Sequence, residues 1–141
     1  MLLIQRRLSL NGLLHRCEPY GTNRYNRRNT VQTELPDSDA VRQLAAQFPL
    51  EETFRKSGEH EFFCRLGRGI DVRGMDGTSN IHGNGIYYFA DWKALSFVYK
   101  DMSISPYQVV YLGEFSDDVR GILSRTGNKV KARMEAAEVG R

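Results

Sequence analysis

Tyr88, Ser96 and Tyr99 stand at spacings that could build one small site, with Arg65 and Arg68 upstream of them. If Trp92–Met102 is a helix, Ser96 lies one turn before Tyr99, and both face the same way as the end of the preceding strand. Two tyrosine rings could then hold a flat, electron-poor heteroaromatic cation such as a nicotinamide ring by stacking and cation–π attraction, at about 0.5–2 kcal/mol per ring. The Ser96 hydroxyl could hydrogen-bond an amide on that ring, and a guanidinium at Arg65 or Arg68 could hold a ribose or phosphate. The stretch from Gly83 to Tyr99 carries six of the chain's fifteen Phe, Trp and Tyr residues. Aromatic residues on a strand and along a helical face also make an ordinary core, so both readings stand at this point.

The elements that would position these residues can be read in order. Asp37 or Ser38 caps a helix whose Val41, Leu44, Ala45 and Phe48 share one face, and Pro49 ends it. A second helical turn is expected from Pro49 to Gly58, with Leu50 and Phe54 on one side. The apolar run 61–66 suits a buried strand, and Gly67, Gly69, Gly74 and Gly77 open a polar loop through Asn80. A strand then starts at Gly85 and ends near Ala90. Asp91 is placed to cap a helix over Trp92–Met102, with Leu95, Val98, Tyr99 and Met102 on one face. After Pro106, Tyr107–Phe115 reads as a strand rich in β-branched and aromatic residues. The tail alternates Val130, Ala132, Met134 and Ala136 with Lys131, Arg133 and Glu135 as a strand would, but its residue types favour a helix. The expected fold class is α+β, a small mixed or antiparallel sheet with flanking helices.

At 141 residues the chain suits one domain, read here as residues 34–141, preceded by a basic segment, 1–33, that is either an arm or part of the domain. Its start resembles an organelle transit peptide in outline, and Leu8–Gly12 reads equally as a strand entering a turn. No apolar run is long enough for a membrane span. Cys17 and Cys64 show no metal-ligand spacing with His15, His60 or His82, so no metal is expected and a reduced, cytoplasmic protein is. Phosphate-loop and nucleophile-elbow motifs are absent from the sequence. Both ends are basic and the middle is acidic, although the net charge is only +3. Such ends can touch nucleic acid, and Tyr20–Arg28 has the rings and guanidiniums for it. They can equally pack against the acidic middle or stay solvated.

The run Tyr88-Phe89-Ala90-Asp91, followed without a gap by Ser96 and Tyr99, resembles the tyrosine–serine–tyrosine segment of the poly(ADP-ribose) polymerase branch of ADP-ribosyltransferases, and Gly83 and Gly85 match the family's paired glycines with one extra residue, Tyr87 or Ile86, before the match. Leu112-Gly113-Glu114 is similar to the family's following strand. The resemblance implies an ADP-ribosyltransferase-like fold with NAD as substrate. It implies cofactor contacts at Arg65, Gly85, Tyr88, Ser96 and Tyr99, and catalytic roles for Tyr88 and for a late-strand acid. Arg65 stands where this branch has a histidine, as in the arginine-type branch, and Glu135 is the candidate acid if the tail is a strand. The expectation is a mono-ADP-ribosyltransferase acting on a protein or nucleic-acid target. The alternatives are an inactive module or inhibitor of that fold working through macromolecular contacts, and a nucleic-acid-binding protein.

Overall fold

Strands, not helices, supply most of the regular structure among the described residues. The computed structural model describes residues 7–8 and 31–137. Helix α1 (Asp39–Ala45) forms where the sequence places it: the Ser38 side chain accepts from the Val41 amide at 3.1 Å, and Val41 and Leu44 face the core. Strand β3 (Leu50–Ser57) replaces the second helical turn expected there, because its inward residue Phe54 is buried while Glu51, Thr53 and Arg55 alternate outward. It turns at Gly58, in left-handed conformation at φ 58°, into β4 (Glu61–Arg65). A Cβ on Gly58 would lie 2.7 Å from the His60 ring, so the turn requires glycine on both counts.

The largest departure from expectation comes after β6 (Gly85–Phe89). Asp91 begins no helix; Ala90–Trp92 makes one 3-10 turn, Lys93 takes the left-handed conformation, and the chain continues as β7 (Ala94–Val98). All five residues of β7 are buried. A strand covered on both faces loses polar alternation, and its apolar run then also satisfies helical spacing. β9 (Val110–Phe115) forms as expected, and a short α2 (Arg120–Arg125) follows. The tail is a strand, β10 (Lys129–Met134), paired with β3 over its whole length, and not the helix that its residue types favour. Pairing with β3 buries Val130, Ala132 and Met134, which outweighs helix propensities of a few tenths of a kcal/mol, about 0–0.7 per residue.

These strands and β2 (Thr33–Glu34) make one antiparallel sheet in the order β10-β3-β4-β7-β6-β9-β2. Its edges are brought together by β1 (Arg7–Leu8), which pairs with β11 (Ala136–Ala137), the continuation of β10, and lies against β2. The sheet therefore curls toward a barrel. Phe54 and Phe97 stack inside it at 4.2 Å, and Phe115 meets Phe97 edge-on at 5.3 Å. On the outer face a two-stranded ladder, β5 (Asn80–Ile81) with β8 (Met102–Ser103), covers a smaller cluster of Ile81, Tyr87, Val98 and Val109. The expected α+β fold of the ADP-ribosyltransferase type is thus corrected to a mostly β, curled antiparallel sheet with two short helices among the described residues. No helix among those residues is long and apolar enough to cross a membrane.

Candidate functional site: a groove on the outer face

Period-two geometry separates the residues that helical spacing would have gathered. Tyr88 points into the barrel, 1% exposed, and its hydroxyl accepts from the Ile70 amide at 2.9 Å. That bond ties the glycine loop to β6, and Gln43 clamps the same loop by exchanging hydrogen bonds with the Asp71 backbone at 2.8 and 2.9 Å. Tyr99 follows β7, also inside, with its ring 5.7 Å from that of Phe62 and the Lys56 ammonium 5.7 Å from its centroid. Its buried hydroxyl has no partner among the described residues. Ser96, three residues earlier on an extended strand, faces the other way, in register with Phe63 on β4 and Tyr87 on β6. No single pocket therefore holds Tyr88, Ser96 and Tyr99.

The other expected site residues are also dispersed. Gly85 begins β6, where a Cβ would approach Tyr87 Cε1 to 2.5 Å, so close packing requires glycine there. The neighbouring Asn84, at φ 77°, accepts from the Val119 amide and donates to the Phe115 carbonyl, both at 2.9 Å, fastening β6 to the β9–α2 connection. Arg65 ends β4 on the outer face, its Nε donating to the Trp92 carbonyl at 3.3 Å. Glu135 lies between β10 and β11, ion-paired to Arg133. The arm Tyr20–Arg28 and Cys17 lie outside the described residues.

What the fold does assemble is a groove on the outer face of β4, β7 and β6. Its floor carries Glu61 and Ser96, and its walls Phe63, Phe89, Trp92 and Tyr107, around about 310 Å³ of space. The four rings run in sequence: Phe63 to Trp92 at 6.5 Å, Trp92 to Phe89 at 5.7 Å, Phe89 to Tyr107 at 6.0 Å. The far wall is fixed by the Ser79 side chain donating to the Tyr107 carbonyl at 2.7 Å and the Ile104 amide donating to the Ser79 carbonyl at 2.8 Å. Trp92 and Tyr107 nevertheless remain 55% and 63% exposed.

Burial pushes the Glu61 carboxyl up to about 7, against the opposing hydrogen bond from Ser96. His60 Nε2 lies 3.8 Å from the same carboxyl, but burial lowers the His60 pKa and so favours its neutral form. Glu61 can therefore gain or lose a proton near neutrality, inside an apolar surface where, among the described residues, no Lys or Arg is ion-paired to it. The described residues contain no cluster of three metal-ligating side chains. Of the expected site residues only Ser96 lines this groove. The signal for the rest was the alternation Glu61, Phe63, Arg65 on one face of β4, legible once 61–65 is taken as a strand next to a second strand.

Comparison with known proteins bears on the whole barrel. A structure of a hypothetical protein from Archaeoglobus fulgidus superposes with a TM-score of 0.66, covering 96% of this chain and 98% of its own, at 15% sequence identity. That likeness is one of fold. No curated protein matches the chain. A family model described as the cyclophilin-like family matches residues 26–135. This match overturns the ADP-ribosyltransferase resemblance, and with it the NAD-dependent transferase, the inactive module of that fold and NAD binding as the expected function. The short tyrosine–serine–tyrosine pattern arose from a β-hairpin whose inward tyrosines and outward serine happen to fall at the same offsets. The chain belongs to the cyclophilin-like family.

Proposed function

We propose that this domain is a binding module for a small organic ligand with an apolar body, received in the outer-face groove. One observation carries the reading: four neighbouring aromatic rings surround a paired carboxyl and hydroxyl at the floor of a concave, largely apolar surface. Apolar walls with a few convergent polar groups are the usual composition of a ligand site, and the space is at the small end of the range, about 300–1,000 Å³, that such sites occupy. Trp92 and Tyr107, two half-exposed aromatics that each contact Phe89 at the rim, are what a bound ligand would cover.

The test uses the chain's single tryptophan, Trp92, which stands at the rim. Titration of a set of small aromatic and alicyclic compounds should change Trp92 fluorescence and move the amide resonances of Phe63, Phe89, Ser96 and Tyr107 together. Fragments that bind but shift only residues elsewhere, or a set that leaves all of these signals unmoved, would overturn the reading.

A further inference from the structure

The groove's floor and walls disagree in polarity, and that disagreement specifies a ligand charge. Glu61 places a carboxyl among four aromatic rings, and no Lys or Arg among the described residues lines the space. Arg65, on the same face of β4, donates to the Trp92 carbonyl, and Arg55, which faces outward on β3 in register with Phe63, is exposed. The other titratable groups facing the groove are His60 and Tyr107; the imidazole is kept toward its neutral form by burial.

Resting on the reading of the groove as a ligand site, we propose that it selects an N-alkylated organic cation, a quaternary or heavily alkylated ammonium. Its charge sits against the Glu61 carboxylate and its alkyl groups against the rings of Phe63, Phe89, Trp92 and Tyr107. Such a ligand satisfies both surfaces. Aromatic π-systems attract a desolvated cation through their quadrupole, and the carboxylate gains an opposite charge beside it. Alkylation matters because N-alkyl groups meet the rings of Phe63, Phe89, Trp92 and Tyr107 directly, whereas the three N–H donors of a primary ammonium gain nothing from that aromatic wall and must find acceptors among Glu61, Ser96, Ser57, His60 and Tyr107. A neutral ligand of the same shape would gain only the contact with the walls.

Choline and its uncharged carbon isostere 3,3-dimethyl-1-butanol separate these cases, with Trp92 fluorescence and amide shifts as readouts. At about pH 8.5, where Glu61 is ionised, choline should bind roughly 10-fold or more tightly than the isostere. At about pH 5.5, where Glu61 is protonated, the preference should disappear through loss of choline affinity, while the isostere is unaffected. Glu61→Gln should abolish the preference at both pH values, and Trp92→Ala should weaken both compounds. Equal affinity of the two compounds, or a preference for choline that survives in Glu61→Gln, overturns cation selection and leaves the groove as a ligand site. Failure of both compounds while neutral fragments still enter the groove does the same, and a groove that takes no probe at all overturns both readings.

Discussion

The two faces of the β4–β7–β6 sheet use the same strands for opposite ends. Inside, Phe62, Phe97, Ile86 and Tyr88 are buried against the barrel core; outside, one residue along, stand Glu61, Ser96 and Phe89 with Phe63. The inner face is dry, aromatic and closed, and its one tyrosine hydroxyl on these strands is spent on a loop amide. The outer face is aromatic too, but it is open and carries a carboxyl that burial has brought near neutrality. Aromatic content alone therefore does not mark a site. What distinguishes the outer face is an ionisable group on an incompletely covered apolar surface.

Truncating one ring from each face breaks this comparison most strongly. Phe97 is fully buried between Phe54 and Phe115, so Phe97→Ala should lose about 3–5 kcal/mol of stability through lost burial and the cavity left behind. Trp92→Ala, at a half-exposed rim, should cost under about 1 kcal/mol while weakening occupancy of the groove. Urea denaturation of both variants measures the contrast. Similar losses would mean that the outer rings are structural after all.

The next effect in size depends on pH. The folded Glu61 carboxyl, at about 7, binds its proton more tightly than in the unfolded chain, where the value is near 4.5. The native state thus holds more protons between these values, and the Glu61 contribution to stability falls as pH rises through that window, by at most about 3 kcal/mol. Glu61→Gln removes this dependence. Relative to the unmodified protein, the variant should gain stability steadily from about pH 4.5 to 7 and then level off. His60 runs the opposite way, because its lowered pKa makes the fold more stable as its imidazole loses its proton, and its imidazole lies 3.8 Å from Glu61, so its own titration in both proteins has to be followed beside the difference curve. A flat difference curve would show that solvent reaches Glu61 freely.

How much of this was legible in the sequence follows from the same alternation. Ser38 and the Val41–Leu44 face announced α1, the glycines announced the 67–80 loop, and the apolar runs at 61–65, 85–89 and 110–115 announced their strands. β7 was hidden because Leu95, Val98 and Tyr99 satisfy a helical stripe as well as a strand buried on both faces, and Asp91 is as good a turn residue as a cap. β3 and β10 were hidden because they are each other's partners: neither pattern is decisive until Val130 is set opposite Phe54. One misread element then moved the site. With residues 92–102 taken as a helix, Ser96 and Tyr99 share a face; with 94–98 as a strand they do not, and Ser96 joins Glu61 and Phe63 on the neighbouring strand β4, far off in sequence but directly paired with β7.

A smaller effect tests what the inner tyrosine does. Tyr88→Phe keeps the ring in the core but leaves the Ile70 amide without its acceptor, which should cost about 1–3 kcal/mol. Because Gln43 and Gln47 still hold Asp71 and Arg68 of the same loop, the loss should appear as faster hydrogen exchange around Ile70 before any global unfolding. Groove occupancy, on the opposite face, should not change. A loss of ligand binding in Tyr88→Phe would mean that the two faces are coupled through β6.

The smallest expected effect concerns the basic tail, whose charge the sequence left open between an outside partner and the acidic middle. On the outer side of β10, Lys131 reaches Glu51 on β3 at 2.8 Å, and Arg133 approaches the same carboxylate at 3.8 Å. The tail's cations thus meet the acidic middle of the chain across the ladder, and the Lys131 hydrogen bond, followed by its charge, lowers the Glu51 pKa. These groups are solvent-exposed, so salt screens their attraction and holding two long side chains in place costs entropy. Lys131→Gln should therefore leave the thermal midpoint almost unmoved at moderate salt, with a small decrease visible only at low ionic strength. A large decrease that persists in high salt would instead make β10 pairing depend on this charge and not on the burial of Val130, Ala132 and Met134, and the inner face would no longer account for the strand that closes the sheet.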